Sequence, residues 1–250
     1  MQKLAKRLLA RLLARRGLEM VAIAPRLPDF FIAEDMVLAA EREGLSVSDY
    51  VEELQGVRGE AQHVVDEMAS CGAFEAPNPV VLEIGTGTGR YVGKVLAKCT
   101  PSRYESYEVL RDWAEWLRST YPVVSHEADG ASLRQTPSNS VDILHSHGVF
   151  VYLPFLACYR YWREMWRVTK PGGIVVFDIF SEDCMDEATV EEWLKPTAVV
   201  HPPDYPCFLS KNYVASLFAR HGFESVGTFM SRLGEGRSEY LVFVRGKAAT

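Results

Sequence analysis

This 250-residue chain lacks long apolar runs. No uninterrupted stretch approaches the roughly 20 residues that a membrane-spanning helix needs, and no signal-peptide core forms between the charges at the start. Paired cysteines are also missing. The five that are present, Cys71, Cys99, Cys158, Cys184 and Cys207, are scattered without a CxxC pair, which speaks for a reducing, cytoplasmic compartment and against structural zinc. Excess positive charge is lacking too: the formal net charge is −6, so the main body has no broad nucleic-acid footprint. There is no internal repeat and no low-complexity linker.

What remains, at 48% hydrophobic and 24% charged residues, is the composition of an ordinary globule long enough to bury a full core. The one break comes first. Residues 1–16, MQKLAKRLLARLLARR, carry six basic residues and no acid, which leaves −6 − (+6) = −12 for the rest. Leu4, Leu8 and Leu12 fall at helical spacing with Lys3, Arg7, Arg11 and Arg15 between them. Two readings stand: a helix that packs on the domain with a solvated basic face, and a peripheral anchor for anionic lipid.

From Phe31 to Met68 the pattern is helical, with Ser46 or Ser48 placed to cap a second helix. Residues 1–75 therefore read as a helical extension or lid, and residues 76–250 as the main domain. In that domain strands and helices alternate: PVVLEIG then RYVGKVLAKC, YESYEV then LRDWAEWLRSTY, VVSHEAD, VDILHSH, FLACYRYWREMWRVT ending at KPGG, and IVVFDIF. FESVGTFMS and SEYLVFVRG close the chain as a hairpin. The expected fold is α/β, a Rossmann-like seven-stranded sheet, mostly parallel, with helices on both faces, a C-terminal antiparallel hairpin and the N-terminal helical extension.

Sheets of this kind bind ligands beyond the carboxyl ends of their strands. The run VLEIGTGTGR, Val81 to Arg90, sits there. Gly85, Gly87 and Gly89 let a ligand approach bare backbone, and the next helix offers free N–H groups. A dinucleotide loop is G-x-G-x-x-G. Here the third glycine comes one residue early, and Glu83 precedes the loop. A carboxylate there gains nothing from pyrophosphate and would suit a cationic ligand.

These residues resemble the first motif of class I S-adenosylmethionine-dependent methyltransferases, and further motifs follow in order over about Val80 to Arg245. The resemblance implies S-adenosylmethionine as cofactor and S-adenosylhomocysteine as product. It implies that Glu83 meets the donor's amino group, that Gly85, Thr86, Gly87 and Gly89 form the loop around it, and that Glu108 holds the ribose hydroxyls. Asp129 and Gly130, in ADG, fall where the family meets the adenine amine. MWRVTKPGGIVVFD resembles the helix end and fifth strand, where RVLKPGG is the usual form, and SVDILHSHGVFVYL the fourth strand and its exit. That alignment puts Ser146 beside the cofactor and His147 at the acceptor, where a histidine near its ordinary pKa suits removal of an alcohol proton. His145 shares the strand face as a second catalytic candidate. The acids Glu182, Asp183, Asp186 and Glu187 read as a solvated helix start, and Asp178 alone cannot hold a hard cation, so no metal is expected. HPPDYP, residues 201–206, falls where the family inserts a lid. Tyr152, Tyr159 and Tyr161 could stack on a ring, though aromatics at helical spacing are usually core.

The leading expectation is O-methylation of a small molecule, a saccharide or other secondary metabolite. Alternatives are N- or C-methyl transfer, an NAD-dependent oxidoreductase, and a non-catalytic partner protein docked through the basic helix.

Overall fold

The structure is a computed structural model that describes residues 32–194, 206–234 and 236–247. The basic segment at 1–16 and His201 to Tyr205 lie outside the described residues. Three helices precede the sheet: α1 (Ala33–Glu43), α2 (Val47–Leu54) and α3 (Glu60–Ser70). Gly44 ends α1 in the left-handed conformation at φ 68°. Ser46 caps α2 by accepting from the Asp49 N–H, while Ser48 lies inside that helix. These helices belong to the same compact unit as the sheet, residues 31–250.

The sheet elements follow as β1 (Val80–Ile84), α4 (Val92–Lys98), β2 (Arg103–Glu108), α5 (Arg111–Thr120), β3 (Val124–Glu127), β4 (Val141–Ser146), α6 (Phe155–Val168) and β5 (Thr169–Ile179). After a 3-10 turn at Glu182–Cys184 come α7 (Glu187–Leu194), α8 (Lys211–Arg220), β6 (Phe223–Leu233) and β7 (Gly236–Arg245). The spatial order is β3-β2-β1-β4-β5-β7-β6. β1 to β5 are parallel, and β7 runs against both β5 and β6. This is the seven-stranded, mostly parallel arrangement with a C-terminal hairpin that the strand–helix alternation predicts.

Each face of the sheet buries its own apolar layer. On one, Leu82, Leu144 and Phe177 pack against Trp162 and Met165 of α6 and Phe218 of α8. On the other, Val81, Ile143 and Val176 meet Val64 and Met68 of α3 and Val95 of α4. Tyr161 and Tyr159 belong to the first layer, as helical spacing suggests.

Two details differ from the sequence reading. Helix α8, capped by Ser210, was not anticipated. β5 also begins earlier than the apolar run, because KPGG lies within the strand: Val141 pairs with Thr169, but Ile143 pairs with Ile174. The extra residues bulge. Gly172 takes φ 82°, and a Cβ on Gly173 would sit 2.9 Å from the Val141 carbonyl oxygen, so only glycine lets the chain re-enter the ladder here. No helix among the described residues is long and apolar enough to cross a membrane.

Candidate active site

The strand order reverses between β1 and β4, and the glycine loop leaves β1 at that point. Its glycines are set by close contacts. The Gly85 N–H donates to the Tyr107 carbonyl at 2.8 Å, at φ 69°, and a Cβ there would lie 2.3 Å from Val149 Cγ2 at the exit of β4. A Cβ on Gly89 would meet Tyr121 and Leu117 at 2.8 and 2.9 Å. The Thr86 hydroxyl is paired with that of Ser106 at 2.7 Å.

Glu108, at the tip of β2, faces this loop. Its Oε2 accepts from Gly87 N–H at 2.6 Å and its Oε1 from Leu110 N–H at 2.8 Å. Each oxygen keeps a lone pair for a ligand hydroxyl. Burial pushes the Glu108 carboxyl above its ordinary value, while the Leu110 and Gly87 N–H groups pull it down. Glu83 lies one strand away and is 1% exposed. The Glu108 carboxylate, hydrogen-bonded to the glycine loop, fits a ligand that carries a diol.

The other candidates are placed differently. The Asp129 carboxylate is spent on its own turn, accepting from the Ala131 and Ser132 N–H groups at 2.9 and 2.7 Å and from the Ser132 hydroxyl at 2.7 Å. Gly130, at φ 74°, completes that turn after β3. Ser146 is fully buried and donates to the Ile84 carbonyl at 2.9 Å, so its hydroxyl clips β4 to β1.

His147 and His145 are not open groups at a cleft. They belong to a buried polar stripe across the α3–α4 face of the sheet. Tyr240 on β7 touches His147 Nδ1 at 3.1 Å, and His147 Nε2 touches His145 Nδ1 at 2.9 Å. His145 Nε2 meets the Tyr104 hydroxyl at 3.1 Å, and that hydroxyl donates to Glu83 Oε2 at 2.7 Å. The Tyr91 ring stacks on His147 with centroids 3.5 Å apart, and Arg90 donates to the Tyr91 hydroxyl at 3.0 Å. Burial drives the stripe away from charge. It takes His145 down to about 3, holds His147 well below the ordinary 6.5, and pushes Glu83 up to about 8. Asp178 at the end of β5 is pushed up to about 6 by burial, against the Gly148 N–H that it accepts at 2.8 Å. Tyr104, Tyr91 and Tyr240 are the members that the sequence reading passed over. The signal available was indirect: a buried acid and two buried histidines all demand partners.

Ligand atoms of Glu83, His145 and His147 lie within 4.8 Å of one another, close enough for a metal ion. Their hydrogen bonds already satisfy them. The acids after β5 are engaged as well: Glu182 accepts from Lys211 N–H at 3.0 Å, Asp183 pairs with Lys211, and Asp186 caps α7 at Thr189 and pairs with Arg237 at 2.8 Å. They behave as a helix start. Tyr152, after β4, is 38% exposed.

Residues 82–177, from β1 into β5, match a family model described as a methyltransferase domain. Among solved structures, the chain resembles magnesium protoporphyrin IX methyltransferase from Synechocystis PCC 6803 with bound SAH (S-adenosylhomocysteine), at TM-score 0.59 and 13% identity over 80% of this chain and 86% of that one. An O-methyltransferase family protein from Burkholderia thailandensis gives 0.59 at 15% identity, over 81% of this chain and 60% of that one. A putative sarcosine dimethylglycine methyltransferase from Galdieria sulphuraria gives 0.55 at 14%, over 74% and 85%. At such identities these structures speak for the fold. No curated protein matches the chain. With the family match lying on the strands that build the cradle, residues 82–177 carry a methyltransferase domain.

Proposed function

We propose that the enzyme methylates a hydroxyl of a small molecule, a saccharide or another secondary metabolite. Glu108 takes the ribose diol, Glu83 faces the donor's ammonium, and Gly85 to Gly89 admit the donor to the backbone. Asp129 reaches the adenine only if part of its turn gives way. The donor supplies an already activated methyl group. What the protein must add is alignment of the acceptor oxygen and a destination for its proton.

The observation that carries the hydroxyl reading is the imidazole pair at the end of β4, His145 in the strand and His147 just past it. Burial keeps both rings unprotonated, the form that accepts an alcohol proton. His147 receives that proton through Nδ1, the atom that the Tyr240 hydroxyl touches at 3.1 Å. The test is transfer from labelled S-adenosylmethionine to a panel of saccharides and phenolic or aliphatic alcohols, with the methylated atom located by mass spectrometry. Products methylated only at nitrogen or carbon would overturn the reading.

The basic residues 1–16 are proposed to contact anionic lipid. Salt-sensitive pelleting of the full chain with anionic vesicles, lost when the segment is removed, would support this; no pelleting at any salt would sink it.

A further inference from the structure

We propose that Tyr240, His147, His145 and Tyr104 form a proton relay that delivers the acceptor's hydroxyl proton to Glu83 as the methyl group is transferred. The proposal rests on the O-methylation reading above and assigns the proton's destination.

The geometry is four consecutive hydrogen bonds between buried side chains from four strands. They run Tyr240 to His147 at 3.1 Å, His147 to His145 at 2.9 Å, His145 to Tyr104 at 3.1 Å and Tyr104 to Glu83 at 2.7 Å. A neutral imidazole has one donor and one acceptor nitrogen, and a phenol has one proton. The links are therefore not independent. If Tyr104 gives its proton to an ionised Glu83, His145 must donate through Nε2 and accept through Nδ1. His147 must then do the same, and Tyr240 must donate to His147 Nδ1. If Glu83 is protonated, every link reverses and both histidines carry the proton on Nδ1. These two arrangements satisfy every link between the buried groups, and a broken link inside the core is costly.

The first arrangement is poised to receive a proton at Tyr240, and the second is the result of having received it. The acceptor oxygen forms a bond to the methyl carbon, whose bond to sulfur breaks with its electron pair left on sulfur. The acceptor's proton passes to the Tyr240 oxygen, and the Tyr240 proton passes to His147 Nδ1. The His147 Nε2 proton moves to His145 Nδ1, the His145 Nε2 proton to the Tyr104 oxygen, and the Tyr104 proton to Glu83 Oε2. One O–H bond is lost at the acceptor and one is gained at Glu83. Both histidines end neutral, with their tautomers exchanged.

Neither imidazole is a stable resting place for the proton, because burial opposes its charge. Glu83 is one: burial favours its neutral form, and Glu108 opposes its ionisation further, while Arg90 and the Tyr104 hydrogen bond favour the anion. Tyr121, beyond α5, is a further titratable group that feels the Glu83 charge. Tyr91, hydrogen-bonded to Tyr240, and Arg90 beyond it end the stripe on the other side.

The test is nitrogen NMR of the histidine rings in the full chain, first without ligand. As pH rises through about 8, where Glu83 ionises, both rings should exchange the proton from Nδ1 to Nε2 together. Adding S-adenosylmethionine at neutral pH should drive the same exchange and release a proton, detectable by calorimetry in buffers of different ionisation enthalpy. Tyr104→Phe should uncouple the rings from Glu83, so that neither ring changes tautomer as Glu83 titrates, and lower kcat. Should that variant fail to fold, Glu83→Gln should hold both rings in one tautomer at every pH. A ring that keeps one tautomer through the wild-type titration overturns the relay. So does a stoichiometric metal ion in the purified protein whose removal alters both ring signals, because Glu83, His145 and His147 would then be its ligands. Exchange driven by pH, with no response to S-adenosylmethionine, would uphold the relay and overturn its assignment to methyl transfer.

Discussion

Replacing Glu83 with glutamine removes one ionisation from the core while keeping an acceptor oxygen for the Tyr104 hydroxyl. In the fold this carboxyl is pushed up from 4.5 to about 8, chiefly by burial. Unfolded, it titrates near 4.5. Between those values the native state holds a proton that the unfolded state has lost, so wild-type stability falls as pH rises. The slope is about 1.4 kcal/mol per pH unit, which over the whole interval amounts to about 5 kcal/mol. The amide cannot ionise, and the other titrating groups are common to both proteins, so the difference between the two isolates Glu83. Urea unfolding at a series of pH values should show Glu83→Gln gaining on wild type from about pH 5 and levelling above about pH 8. A stability difference that does not change with pH would mean that Glu83 ionises as freely in the fold as in water. The account of the buried stripe would then be wrong.

Glu108→Ala should cost about 1–3 kcal/mol of S-adenosylmethionine affinity by calorimetry, the scale for losing a charged hydrogen-bond partner. Gly85→Ala forces a Cβ to within 2.3 Å of Val149 at a positive φ, and chemical denaturation should show a loss of about 1–3 kcal/mol. Tyr240→Phe keeps the ring stacked on Phe229, at 4.7 Å between centroids. With a true acceptor in hand it should lower turnover by roughly 10²–10⁴ and leave donor affinity alone. The turnover profile of wild type should show no inflection at the ordinary histidine value of 6.5, because His147 titrates well below it. Its acid limb should follow Glu83, falling as that carboxyl takes a proton, and should vanish in Glu83→Gln.

The features legible in the sequence are those decided by near neighbours. Apolar runs bounded by turn residues mark β1, β4 and β5, and the Ser46 cap lies three residues from its partner. Gly85 and Gly89 announce a tight turn, because a Cβ at either would crowd a neighbouring side chain at a positive φ. Glu108 is reached by register, one residue type at a strand tip. What was not legible depends on residues far apart in the chain. Tyr104 lies 41 residues from His145, and Tyr240 lies 93 from His147. In the sequence both tyrosines are ordinary strand aromatics. Asp129 and Ser146 show the opposite limit, since motif position says nothing about whether a side chain is already spent on its own backbone. The KPGG bulge was half legible: the glycines signal a break, but pairing alone shows that the break lies inside β5.

His147 is where these limits meet the chemistry. Its place at the exit of β4 suggests a solitary base working near its ordinary pKa, and the fold denies it both conditions. A fully buried imidazole without a carboxylate against it pays too heavily for charge to store a proton. Its hydrogen bonds run to Glu83 through His145 and Tyr104. A histidine here can therefore move a proton without keeping it. That distinction makes the tautomer, and not the charge, of His147 the quantity that reports its role.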